Sequence, residues 1–317
     1  MKSRWFFCLL ALSALLLAPC SILAQTVDIQ ESRAALLQWY PQTVSLPYGS
    51  AHSACFDGTN IWVTSYSNDT VTKVQVTTGK LLGTFAAGSG AAGCAFDGTN
   101  IWVADFLGGT VTKIRDSTGA TVGTFSTSGT NPYDVTFDGT YIWVSNNWNG
   151  TVAKLFASSG ALINTYPVGA QYPHSMAFDG TYIWVTVQGN NTVAKLLAST
   201  GALVAAYSVG NTPWGMAFDG TNIWVANNGS DTVTELLAST GAVEGTFAVG
   251  SSPGAVAFDG TYIWVGNSGS NSVTKLASSG AVVSTYSLGF GPASDMAFDS
   301  ANIWVPGGSS VTKIPTF

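Results

Sequence analysis

Apolar residues in this chain come in short runs, separated by turn-forming residues at intervals too close for helices. Residues 213–253 show the pattern. Gly215-Met216-Ala217-Phe218 is a short apolar run, and Asp219-Gly220 behind it is a hairpin-turn signal. Asn222 to Ala226 is rich in β-formers, Asn227 to Ser230 turns, and Thr232 to Leu236 alternates apolar with polar. Ser239-Thr240-Gly241 turns again before a fourth run, Ala242 to Val249. Four short strands with turns every 8–12 residues predict a four-stranded antiparallel meander. A helical period is carried only by Asp28 to Tyr40, ahead of this region.

The unit repeats. Phe-Asp-Gly-Thr-Asn/Tyr-Ile-Trp-Val starts at Phe56, Phe96, Phe137, Phe178, Phe218 and Phe258, with a degenerate seventh copy at Phe298. The tryptophans Trp62, Trp102, Trp143, Trp184, Trp224, Trp264 and Trp304 fall 40 or 41 residues apart, a period that marks a repeat architecture. Within Ile-Trp-Val the Trp points one way and its neighbours the other, so both faces of each sheet are apolar. Stacking the sheets around an axis buries both, which predicts an all-β, seven-bladed β-propeller. The tryptophans are then packing between blades.

The chain ends indicate a closed ring. The last unit supplies strands at Asp295 to Phe298, Asn302 to Val305 and Val311 to Ile314, then stops at Phe317. Thr43 to Leu46, before the first unit, is in register with Thr285 to Leu288 and is expected to complete the seventh blade. Closure also removes exposed sheet edges at the two ends.

The N-terminus reads differently. Lys2 and Arg4 precede an apolar stretch from Trp5 to Leu17, and Ala24 offers a cleavage site. The stretch is short for a membrane span and Pro19 follows it. The expected organisation is a signal peptide over residues 1–24, a leader over 25–41 and the propeller over 42–317, giving an exported, periplasmic or extracellular, monomer. Loss of Lys2 and Arg4 takes the net charge from −6 to −8. No basic run exists to engage a phosphate backbone, so nucleic acid is not an expected partner. Charged residues are only 9% of the chain and hydrophobic ones 46%, ample for a core.

Two cysteines lie beyond the leader. Cys55 sits one residue before its unit's Phe, and Cys94 two before the next. Small residues at the first site and larger ones at the second suggest that the sites meet across neighbouring blades. A Cys55–Cys94 disulfide is the expectation, with two buried thiols the alternative.

Localised function belongs where the units differ. Differences gather in the connections between the second and third strands and between blades, on one face of a propeller. His52 and His174, four residues before their Phe, are the only histidines; Tyr133 and Trp214 hold the same position, and Asp134 and Asp295 the next. A mouth ringed by His52, Tyr133, His174 and Trp214 with two carboxylates would suit a small polar ligand or carbohydrate, or a protein partner. The plain alternative is loop packing. A His–Asp pair could also do acid–base chemistry. The Asp-Gly-Thr turns lack a calcium loop's alternating carboxylates, and Cys and His are too few for zinc; no metal or cofactor is expected. Asn68, Asn149, Asn190 and Asn228 begin Asn-x-Ser/Thr sequons.

Pro213 to Asn227, Asp231 to Leu236 and Ser239 to Val243 resemble the YVTN-type β-propeller repeat, and are similar to NHL repeats and to those of virginiamycin B lyases. The resemblance covers Thr43 to Phe317; Val144-Ser145-Asn146, Val225-Ala226-Asn227 and Val265-Gly266-Asn267 match its Val-Thr-Asn signature best. The lyase resemblance implies a Mg²⁺-assisted elimination by histidine and glutamate in the channel. Beyond residue 24 the glutamates are Glu31, Glu235 and Glu244, and the last two fall on third- and fourth-strand positions. No catalytic residue is carried over. Three functional readings stay open: a binding or protein-interaction module using the loop face, a lyase- or hydrolase-like enzyme at the channel mouth, and a structural surface scaffold.

Overall fold

The computed structural model describes residues 40–317; the expected signal peptide and nearly all of the leader lie outside that range. Seven four-stranded antiparallel sheets form the blades of a β-propeller. Strands A to D run from the axis outward. In blade 1 they are Ala51–Phe56, Asn60–Ser65, Thr70–Gln75 and Leu81–Ala86. The A strands of the following blades are Ala91–Phe96, Pro132–Phe137, Pro173–Phe178, Pro213–Phe218, Pro253–Phe258 and Ala297–Phe298. The D position of blade 7 is filled from the other end of the chain. Gln42–Ser45 pairs antiparallel with Ser310–Pro315, Thr43 opposite Thr312 with their hydroxyls 2.9 Å apart. Among the described residues no helix is long and apolar enough to cross a membrane.

Each unit's signature phrase welds its blade to the next. All seven repeat tryptophans have no solvent exposure. Trp102 packs against Ile142 and Val144 of the next blade, as Trp143 does against Ile183 and Val185. Burying an indole requires a partner for its N–H. The Asp of the same phrase supplies it, accepting from Trp Nε1 at 2.7–2.8 Å in every blade. Its other oxygen accepts the turn's own amides, as Asp57 does from Thr59 and Asn60. One carboxylate thus shapes the A–B turn and fixes the tryptophan.

A lysine in strand C completes the junction. Lys73, Lys113, Lys154, Lys195, Lys275 and Lys313 lie 4.6–5.7 Å from the centroid of their own blade's Trp ring. Each also donates to a backbone carbonyl of the following blade at 2.6–3.0 Å. Blade 5 carries Glu235 instead, which accepts from Asn222 Nδ2 at 2.7 Å. Cys55 and Cys94 join blades 1 and 2 as a disulfide with Cα atoms 5.8 Å apart.

Candidate functional site

The A strands begin at the axis, and their sequence positions bend there. In blade 3, Pro132 pairs with Asn146 and Val135 with Val144, so Tyr133 and Asp134 face Ser145 alone. The same two-against-one bulge follows Ala51, Ala91, Pro173 and Pro213. Bulges re-aim side chains. Here they bring together residues that the repeat numbering had already picked out.

The resulting cluster is dense. Tyr133 and His174 have ring centroids 3.6 Å apart, His174 and Trp214 4.4 Å, and His52 and Tyr133 5.3 Å. Tyr66 stacks on His52 at 5.6 Å, and Phe106 meets both Tyr66 and Tyr133 at 5.8 and 5.9 Å. Ser294 of blade 7 joins from across the axis. Its hydroxyl lies 2.6 Å from Tyr133 Oη and 3.3 Å from His52 Nε2, with Tyr133 Oη 3.2 Å from the same nitrogen.

Spacing along the sequence predicts a rim around an opening; in the structure these rings fill the opening. Beneath them His52, Tyr133, Asp134, His174, Ser294 and Asp295 line a cavity of only about 10 Å³. That is room for one water, not a sugar. The cause is close approach of the inner strands. At Gly93 an added Cβ would lie 2.7 Å from Asp134 Cα, and neighbouring bulky side chains can only converge on the axis.

Burial shifts each ionisable group of the cluster toward its neutral form. Desolvation lowers the His52 pKa to about 4. It drives His174 well below its ordinary value, assisted by the nearby His52 charge. Burial raises Asp134 to about 6, against the amides of Met176 and Val135, which donate to it at 2.8 Å. Burial, then the Asp134 charge, lifts Asp295 well above the carboxylate range. Ser53 Oγ donates to Asp295 at 3.4 Å. Among the described residues no hydrogen bond or ion pair joins either histidine to either carboxylate. The histidines and carboxylates therefore meet in no direct His–Asp pair. The Nδ1 atoms of His52 and His174 are buried without a partner. Among the described residues no three His, Cys, Asp or Glu side chains are placed to hold a metal ion.

Ser294 was not legible as a site residue, although it shares the histidines' position in the unit. Asp105, an ionisable oddity at the end of strand B, is fully buried and holds its own blade together. It accepts from Thr110, Thr112 and the Gly88 amide at 2.7–2.9 Å. Asn146, Asn227 and Asn267 do the equivalent work elsewhere, Asn227 donating to Thr232 and Thr234. The Asn of the Val-x-Asn signature is thus a tie between strands B and C. On the loop face, Leu107, Trp148 and Tyr172 stand exposed, at 62%, 60% and 41%.

No protein-family model and no curated protein matches the chain. Solved structures do. A streptogramin B lyase superposes with a TM-score of 0.75 at 17% identity, covering 87% of this chain and 98% of that one. A catalytically inactive virginiamycin B lyase from Staphylococcus aureus with quinupristin gives 0.76 at 17%, covering 87% and 99%. Kuenenia stuttgartiensis hydrazine synthase gives 0.76 at 17%, covering 86% and 96%. At this identity the likeness is one of fold, and proteins sharing a fold differ in function. The chain is a seven-bladed β-propeller whose structural neighbours include virginiamycin B lyases.

Proposed function

We propose that this protein is an exported binding module whose contact surface is the face formed by the B–C and D–A loops. One observation carries the reading. The side chains that break the repeat form a continuous ring cluster, Phe106–Tyr66–His52–Tyr133–His174–Trp214, which seals the axis on that face. A sealed axis makes a rigid floor, and exposed Leu107, Trp148 and Tyr172 stand in the loops around it. Exposed rings on a rigid scaffold are the usual material of recognition surfaces. His52, Tyr133, Asp134, His174, Trp214 and Asp295 then serve as support, and a ligand touches the loops above them.

A lyase-like reaction at the axis draws support from the shared fold alone. In this closed arrangement the cavity of about 10 Å³ admits no organic substrate. A thermal-shift screen of the purified chain against neutral oligosaccharides, divalent cations and peptides separates the readings. The binding reading expects a shift with a sugar or peptide that survives in His174→Ala. A metal-dependent shift lost in that variant would favour the enzyme, and no shift with any class would favour a scaffold.

A further inference from the structure

We infer that the loop surface shared by blades 3 and 4 is a stacking platform for a neutral sugar chain, with Trp148 and Tyr172 as its rings. The inference rests on the binding reading above and names the ligand class.

Tyr172 carries the argument furthest. It precedes strand A of blade 4 with φ 63°, in the left-handed region. The same loop position is left-handed in five of the other six blades, at Ser50, Gly90, Asn131, Thr212 and Ser252, with φ from 51° to 74°, and is Pro292 in blade 7. Gly, Asn and Ser suit that conformation; β-branched Thr212 and the bulky Tyr172 adopt it at a cost. Tyr172 accepts the strain without burying its ring, which is 41% exposed. A ring left this exposed adds little to the core, and its use is read as lying at the surface.

The surroundings are built to hold it still. The Tyr172 amide donates to Asn147 O at 2.7 Å, beside exposed Trp148. The Tyr172 carbonyl accepts from Gln188 N at 3.0 Å, and Gln171 O accepts from Gly189 N at 3.1 Å. Asn147 Nδ2 donates to Pro173 O at 3.0 Å. Two B–C loops and the D–A loop between them are thereby tied into one surface, so little ordering cost remains for a ligand.

Their chemistry selects the ligand. Residues 147–150, 168–172 and 187–191 contain no Asp, Glu, Lys or Arg. They do contain Asn149, Gln171 and Asn190, all exposed. Side-chain amides both donate and accept, as sugar hydroxyls do. The electron-rich aromatic face attracts the partly positive C–H face of a pyranose. A nucleic acid would need cations here, a metal ion carboxylates, and a charged peptide an opposite charge; none is present.

The test uses the full chain made in a bacterial host, so that the Asn149 sequon stays unmodified. Cellohexaose, chitohexaose, mannohexaose and maltohexaose are titrated by calorimetry and by saturation-transfer NMR. At least one should bind with Kd of about 1 mM or tighter. Trp148→Ala and Tyr172→Ala should each weaken it by about tenfold or more, a loss of the size that one stacked ring supplies. Tyr172→Phe should keep it. Tyr172→Asn should abolish binding while raising Tm by about 2 °C, because the left-handed strain is relieved. Failure of all four sugars to bind, or binding that is indifferent to Trp148→Ala, would overturn the inference. A peptide bound through Trp148 and Tyr172 would overturn it too, while leaving the loop-face reading standing.

Discussion

Trp184 donates its indole N–H to Asp179 Oδ2 at 2.7 Å, across a spacing of five residues. Asp179 Oδ1 takes the amides of Thr181 and Tyr182 at 2.8 and 2.6 Å. Removing the carboxylate would strand a buried N–H and unmake the turn together. Asp179→Ala should destabilise the propeller by roughly 3 kcal/mol, from one orphaned donor and two lost charge-assisted bonds. Asp179→Leu, which restores bulk but no acceptor, should not rescue it. Urea unfolding of the variants checks both.

Glu235 interrupts an otherwise regular lysine clamp. In the other blades the ammonium lies against Trp and reaches the next blade's carbonyl, as Lys195 reaches Ala238 O at 2.7 Å. Ala238 lies three residues after the strand C position of blade 5, and the same count from Lys275 places the equivalent carbonyl beyond blade 5 on Ser278. Burial, then Asp219 and Glu244, raises the pKa of Glu235, so the carboxylate is poorly placed. Glu235→Lys should stabilise the fold by about 1 kcal/mol, seen as a Tm rise of about 2 °C. A fall in Tm would show that the Glu235–Asn222 bond outweighs the clamp.

Buried carboxylates give the stability a pH dependence of unusual sign. Burial raises Asp105 and Asp134 to about 6 in the folded state. A raised folded pKa means the contribution is fully present below the unfolded value, near 3.9, and is lost as pH rises through about 6. Tm should therefore be higher at pH 5 than at pH 8. Asp105→Asn installs the residue that blades 3, 5 and 6 already use. It should raise Tm at pH 8 and flatten the profile. A profile unchanged by the substitution would assign the dependence to Asp134 and Asp295.

The Cys55–Cys94 bond should be found in protein made in an oxidising compartment. Intact mass without reductant should read two hydrogens below the dithiol mass, and alkylation should label neither cysteine. The bond spans a sequence separation of 39, so replacing both cysteines with Ala should cost about 4 kcal/mol. Two free thiols in protein made in an oxidising compartment would contradict the assignment.

The blade count and closing strand were readable because each follows from local pattern plus chain ends. Thr43 completes the seventh blade because the last unit stops one strand short. The axis was harder. His52, Tyr133, His174 and Trp214 were visible as exceptions to the repeat, but not that they fill the channel. That depends on how close the inner strands approach and on a bulge that no apolar alternation encodes. The lysine clamp was hidden for a related reason. Lys113 is plain in Thr110-Val111-Thr112-Lys113, yet its acceptor, Ala157 O, lies 44 residues on and is a backbone atom. The Asp of Asp-Gly-Thr was legible as a turn residue; its bond to the indole was not.

The loop-face claim is tested most directly by moving the substitutions between faces. Trp148→Ala combined with Tyr172→Asn alters the B–C and D–A side, whereas Phe156→Ala alters the opposite end of strand C. In a thermal-shift screen with the four neutral hexasaccharides and a peptide library, the native chain should gain stability with at least one ligand. The double variant should lose that gain while melting no lower than the native chain alone, and Phe156→Ala should keep it. A gain that persists in the double variant, or that disappears only with Phe156→Ala, would contradict the account.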